Sequence, residues 1–144
     1  MEQLVKDLMR TPVVTIASDA GLDRALLMMR SQRIRHLPVV ENGMMVGLIS
    51  DRDLRLSMAE MEQGPGGAPK GYYLPALTKV KTVMITNVVT AQPEMPLSKA
   101  ATIMSERKFG ALPVLESDGR RPIGIITETD MLRLLARMLI QKGS

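Results

Sequence analysis

The sequence contains no cysteine, no tryptophan and one histidine, His36; its only aromatics are Phe109, Tyr72 and Tyr73. Lack of cysteine excludes disulfide staples, thiolate metal sites and cysteine nucleophiles. A single imidazole makes a poor zinc site and leaves one base for any hydrolase triad. There is no Walker glycine loop and no dinucleotide fingerprint. Most enzyme classes thus lack their equipment, and the chain is expected to be non-catalytic, without metal or catalytic cofactor. No apolar run is long enough to cross a membrane, and the opening Met1-Glu2-Gln3-Leu4 lacks a secretory pattern. The expectation is a cytoplasmic protein with no membrane partner. The net charge of +4 comes from interspersed signs rather than a basic stripe. With no aromatics to stack bases, this argues against nucleic acid.

What is present is aliphatic: 45% hydrophobic residues, including 13 methionines able to fill irregular core space. It is also repeated. At an offset of 75, Val5 to Glu41 lies over Val80 to Glu116 with 14 of 37 positions identical. The identities fall in blocks: Val5-Lys6, Met9, Thr11, Val13-Val14-Thr15, Leu22, Ala25, Met29, Leu37-Pro38-Val39 and Glu41. After an insertion around Gly119 to Pro122, the run from Gly47 to Asp53 matches that from Gly124 to Asp130. Two copies of one supersecondary unit follow. Residues 1–58 form the first repeat, 59–78 a connector and 79–144 the second repeat.

Each copy passes through the same periods. Val13-Val14-Thr15 and Val88-Val89-Thr90 read as short strands. Asp19 to Gln32 and Pro96 to Arg107 read as helices, with Ser18 or Asp19 as cap of the first and Pro96 in the first turn of the second. Two strands follow in each, Leu37 to Val40 with Val46 to Ile49 and Leu112 to Leu115 with Ile123 to Ile126. Asn42-Gly43 and Asp118-Gly119 mark hairpin turns between them. A helix then begins near Asp51 or Glu128. The fold class is α/β (α+β), with two β-α-β-β-α repeats packed about a pseudo-twofold axis because one copy is too small to bury its own sheet. The Gly- and Pro-rich stretch from Glu62 to Pro75 connects them, and Tyr72-Tyr73 is expected to dock. Met131, Leu134, Leu135, Met138 and Leu139 line one face of the last helix. That stripe fits either the chain's own core or a second copy, and a homodimer through helical faces is expected.

Each repeat also ends a strand with a glycine-led run, a hydroxyl residue and an aspartate three positions on: Gly47-Leu48-Ile49-Ser50-x-x-Asp53 and Gly124-Ile125-Ile126-Thr127-x-x-Asp130. At a helix mouth this arrangement reads equally as a local cap or as a ligand site, in which the carboxylate takes vicinal ribose hydroxyls. Arg33, Arg35, His36 and Arg52 would give the first copy a mouth suited to phosphate. The second has Gly110-Ala111 and Thr129 in place of Arg35-His36 and Arg52, so its mouth is less basic.

These stretches resemble cystathionine-β-synthase-type (CBS) domains, and the chain resembles a stand-alone CBS pair, or Bateman module. Val5 to Met9 and Val80 to Met84, Arg35 to Val40 and Gly110 to Leu115, and Gly47 to Leu54 and Gly124 to Met131 carry the likeness, which is nearest to acetoin-utilisation-type members. The resemblance implies a regulatory module that binds AMP, ADP, ATP or S-adenosylmethionine and acts on a protein partner; whether Mg²⁺ accompanies the ligand is open. It implies ribose contacts from Asp53 and Asp130, with Ser50 and Thr127 near phosphate or ribose. Thr11, Val13 and Val14 would line adenine in the first site, and Thr86, Val88 and Val89 in the second. Arg35, His36 and Arg52 would face phosphate, and Pro38 and Pro113 would shape the cleft floors. The alternatives are a protein-interaction scaffold with vestigial clefts and a weak nucleic-acid binder.

Overall fold

In the computed structural model, which describes residues 2–62, 74–117 and 119–143, the chain folds into two compact units that cut across the sequence repeats. One is continuous, Val14–Val88; the other joins Met1–Val13 to Val89–Ser144. Each repeat therefore surrenders its leading segment to the core formed by the other.

In the continuous unit, β1 (Ile16–Ala17) runs parallel to β2 (His36–Glu41), which pairs antiparallel with β3 (Met44–Ser50). Helix α2 (Leu22–Gln32) buries Leu22, Ala25 and Met29, one face at helical spacing, against Leu37, Val39 and Ile49 of the sheet. Helix α3 (Asp51–Glu62) adds Leu54, and Val80 enters from beyond the connector, next to the short helix α4 (Leu74–Leu77). The loop before α2 holds this returning segment: the Leu22 amide donates to the Thr78 carbonyl (3.0 Å) and the Val80 amide to Ala20 (2.8 Å).

The discontinuous unit repeats the arrangement. The one-turn helix α1 (Val5–Leu8) supplies Val5, and helix α5 (Leu97–Arg107) supplies Leu97, Ala100 and Met104. These pack on Leu112 and Val114 of β4 (Ala111–Leu115) and Ile126 of β5 (Pro122–Thr127), an antiparallel pair. Val5 and Val80, both fully buried, each contribute roughly 1.5–3 kcal/mol by leaving water. Helix α6 (Glu128–Gly143) packs Met131 and Leu134 on this core, but Leu132, Leu135, Met138, Leu139 and Ile140 stay exposed.

The β-α-β-β-α order is present in both repeats, with local departures. The first strands begin later than the β-branched runs imply. Val13–Thr15 is unpaired, and pairing starts at Ile16 opposite Val39; in the second repeat it shrinks to one parallel bridge, Ala91 to Val114. The chain passes from one unit to the other at Val13–Val14 and Val88–Val89, so those backbones pair with no strand. Ser18 and Asp19 do not cap α2. Gly21 is its N-cap, and the Ser18 hydroxyl is buried and donates to Glu41 (2.7 Å). Pro96 is the N-cap of α5. Asn42-Gly43 does make the two-residue turn between β2 and β3, with φ of 53° and 79°, the positive pair a type I′ turn needs. Asp118 and Tyr72-Tyr73 lie outside the described residues, as does most of the connector.

Candidate functional site

Each unit places its hydroxyl–aspartate motif at a strand-to-helix junction. In the continuous unit, β3 ends at Ser50 and α3 starts at Asp51. Asp53 Oδ2 accepts from the Ser50 amide (3.1 Å) and the Ser50 hydroxyl (2.8 Å), while the Asp53 amide donates back to Ser50 Oγ (3.1 Å). In the discontinuous unit, Asp130 Oδ2 accepts from the Thr127 amide (3.0 Å) and hydroxyl (2.8 Å), and the Asp130 amide donates to Thr127 Oγ1 (3.3 Å). This is a reciprocal cap, and it uses only one oxygen of each carboxylate.

The second oxygens differ. Asp130 Oδ1 accepts from Arg10 Nε at 2.9 Å, a charge-assisted bond to a carboxylate whose side chain is only 8% exposed. Position 85, the counterpart of Arg10 beside the Asp53 motif, is an isoleucine, which offers no such charge. Both positions are held the same way. Arg10 bridges Ile125, with its amide 2.8 Å from the Ile125 carbonyl, and Ile85 bridges Leu48, with reciprocal amides at 2.9 Å. The close approach explains the glycine that opens each motif. A Cβ on Gly47 would come within 2.5 Å of Met84 Sδ and 2.9 Å of the Ile85 carbonyl oxygen. On Gly124 it would come within 2.7 Å of Met9 Sδ and 3.1 Å of the Arg10 carbonyl oxygen.

Strand pairing brings the proposed phosphate-facing residues to the same junction. His36 pairs with Ser50, the Asp51 amide donates to the Arg35 carbonyl (2.8 Å), and Pro38 is buried opposite Leu48. Likewise Ala111 pairs with Thr127, the Glu128 amide reaches the Gly110 carbonyl (3.0 Å), and Pro113 is buried opposite Ile125. Arg35 and Arg52 are exposed; the carboxylate of Asp51 pairs instead with Arg55 at 3.3 Å. Thr129 is half-buried beside Asp130.

The units also regroup the expected lining residues. Thr11 and Val13 belong to the unit of Thr127 and Asp130, as does Val89. Val14, Thr86 and Val88 belong to the unit of Ser50 and Asp53. Thr11 and Thr86 are exposed, and the four valines are half-buried. Arg10 is the residue that sequence reasoning missed. It lies 120 positions from its partner, and only the exchange of leading segments brings the two together. Among the described residues, no cluster of three or more His, Cys, Asp or Glu is placed to hold a metal, and no helix is long and apolar enough to cross a membrane.

Comparison with known proteins agrees with this architecture. The CBS domain family model matches residues 5–60 and 80–137. A CBS domain-containing protein of Dictyostelium discoideum is 39% identical over 140 residues, which cover 96% of this chain and 95% of that protein. Other, longer curated relatives match over only 23 to 24% of their own length. Among solved structures, the CBS domain pair of protein MJ0100, in complex with 5′-methylthioadenosine and S-adenosyl-L-methionine, superposes with a TM-score of 0.81 at 28% identity, covering 96% of this chain and 99% of that one. CBSX2 in complex with AMP gives a TM-score of 0.73 at 25% identity, covering 94% and 97%. A CBS pair is a regulatory rather than a catalytic module. With two copies of the repeat, each ending in the same capped hydroxyl–aspartate junction, this chain belongs to the CBS domain family as a tandem pair.

Proposed function

We propose that this protein is a sensor of adenosine-containing ligands, of the class AMP, ADP, ATP or S-adenosylmethionine, that passes their occupancy to a protein partner. One observation carries the reading: the same capped carboxylate is built twice, each time with Oδ2 fixed by its helix cap and Oδ1 outside it. A ribose offers two vicinal hydroxyl donors, and a carboxylate locked in one rotamer is a prepared acceptor for them. The adjoining helix amides and, in the continuous unit, the exposed Arg35 and Arg52 suit an anionic 5′ group. The adenosyl ligands of the two solved relatives support the same chemistry. Signalling then requires the ligand to favour one arrangement of the protein over another. We further propose that the molecule works as a homodimer, joined through the exposed apolar face of α6.

Thermal unfolding against AMP, ADP, ATP and S-adenosylmethionine, with GTP as control and Mg²⁺ present or absent, tests the reading. A ligand that binds the folded state alone raises the midpoint by mass action. The expected result is a rise with one or more adenosine compounds and none with GTP, diminished by Asp53→Asn or Asp130→Asn. No shift with any of them at millimolar concentration would overturn it.

A further inference from the structure

The two motifs share backbone geometry, cap and glycine, yet differ at the residue that crosses in front of them. Arg10 gives its Nε to the carboxylate of Asp130, whereas Ile85 offers Asp53 nothing. We propose that Arg10 is a specificity residue that makes the Asp130 motif selective for adenosyl ligands carrying a 5′-phosphate, while the Asp53 motif also accepts those without one. The proposal rests on the ribose-binding reading above and assigns each motif its own ligand class.

The argument is one of charge balance. Without ligand, Arg10 and Asp130 neutralise each other, and the carboxylate is nearly buried while the arginine side chain is 46% exposed. Ribose hydroxyls approaching Oδ1 compete with Nε–H for the same oxygen. A ligand with a neutral 5′ group takes that oxygen and leaves the guanidinium with a weakened counter-charge. A ligand with a 5′-phosphate returns one: the planar guanidinium has five N–H donors, so it can turn to the phosphate as the ribose claims the carboxylate. Hence the phosphate replaces the counter-charge that the ribose displaces. At the Asp53 motif the crossing residue is Ile85, which carries no charge, so a ribose that takes this carboxylate displaces no arginine from the crossing segment, whatever its 5′ substituent.

This inverts the electrostatics that the sequence implies. There the second repeat looks poorer in phosphate donors because Gly110-Ala111 replaces Arg35-His36. The structure lends that motif an arginine from the first repeat.

Calorimetric titration of the full chain with AMP and with 5′-methylthioadenosine tests the proposal. Asp53→Asn isolates the Asp130 motif, and Asp130→Asn isolates the Asp53 motif. In the Asp53→Asn protein, AMP is expected to bind about tenfold or more tighter than 5′-methylthioadenosine, the scale of one charge-assisted contact. Adding Arg10→Gln should bring the ratio close to unity. The converse variant guards against a folding defect in Arg10→Gln. Ile85 is half-exposed and holds the backbone register of Arg10, so Ile85→Arg in the Asp130→Asn protein should raise the AMP preference of the Asp53 motif. Binding of both ligands with a ratio that neither substitution moves would overturn the role of Arg10 and leave the sensor reading standing. No binding of either ligand to wild type would overturn both.

Discussion

At the scale of single residues, the glycines that open the two motifs are as constrained as the charged groups that follow them. Gly47 and Gly124 let the Met84–Ile85 and Met9–Arg10 segments lie against β3 and β5, where a methyl group would collide with a methionine sulfur and a carbonyl oxygen. The sulfur belongs to a flexible side chain and can move aside; the carbonyl is fixed by the bridge itself. Gly47→Ala, which meets the closer carbonyl, is therefore expected to destabilise the protein by about 1–3 kcal/mol, and Gly124→Ala by less, as read from urea unfolding midpoints. Equal stability of Gly47→Ala and wild type would show that these segments do not approach the sheet as described. Arg33 and Lys108 play a quieter part: each ends its helix in the left-handed region, with φ of 55° and 58°, where glycine is the commoner choice.

At the scale of elements, α6 serves two surfaces. Met131 and Leu134 belong to the core, whereas Leu135 and Met138, on the same stripe, line an apolar face that extends beyond it towards α5, and Leu139 is exposed further along the helix. If that face joins two copies, Leu135→Glu with Met138→Glu should turn a dimer into a monomer in sedimentation velocity while leaving the far-ultraviolet dichroism unchanged. A wild-type monomer at high micromolar concentration would contradict the assignment. The stripe, helices α2 and α5 and the Asn42-Gly43 hairpin were all legible in the sequence, because periodicity and turn chemistry are local properties. What was not legible depends on tertiary placement. Val13–Thr15 has strand-forming residues but pairs with no strand, and Ser18 has a capping side chain but gives its hydroxyl to Glu41. The hydroxyl–aspartate spacing fits a cap and a ligand site equally, and the cap uses one carboxylate oxygen and leaves the other outside it. Arg10 was invisible for the same reason that Val13–Thr15 misled, since both lie where the chain changes unit.

At the scale of the whole molecule, duplication and exchange explain each other. The residues that the repeats share most faithfully, Val5 and Val80, Leu22 and Leu97, Ala25 and Ala100, Met29 and Met104, Leu37 and Leu112, Val39 and Val114, are the two cores. Each core draws on both repeats, so neither repeat completes a unit by itself. Such a molecule offers two matched carboxylate junctions whose surroundings have been free to diverge, here in the choice of arginine or isoleucine beside them. The most direct test of the account is an equilibrium titration of AMP into wild type and into the double variant Asp53→Asn/Asp130→Asn. Saturable binding by the wild type that disappears in a folded double variant is the predicted result. Unchanged affinity in the double variant would contradict it, because the carboxylates would then be helix caps and nothing more.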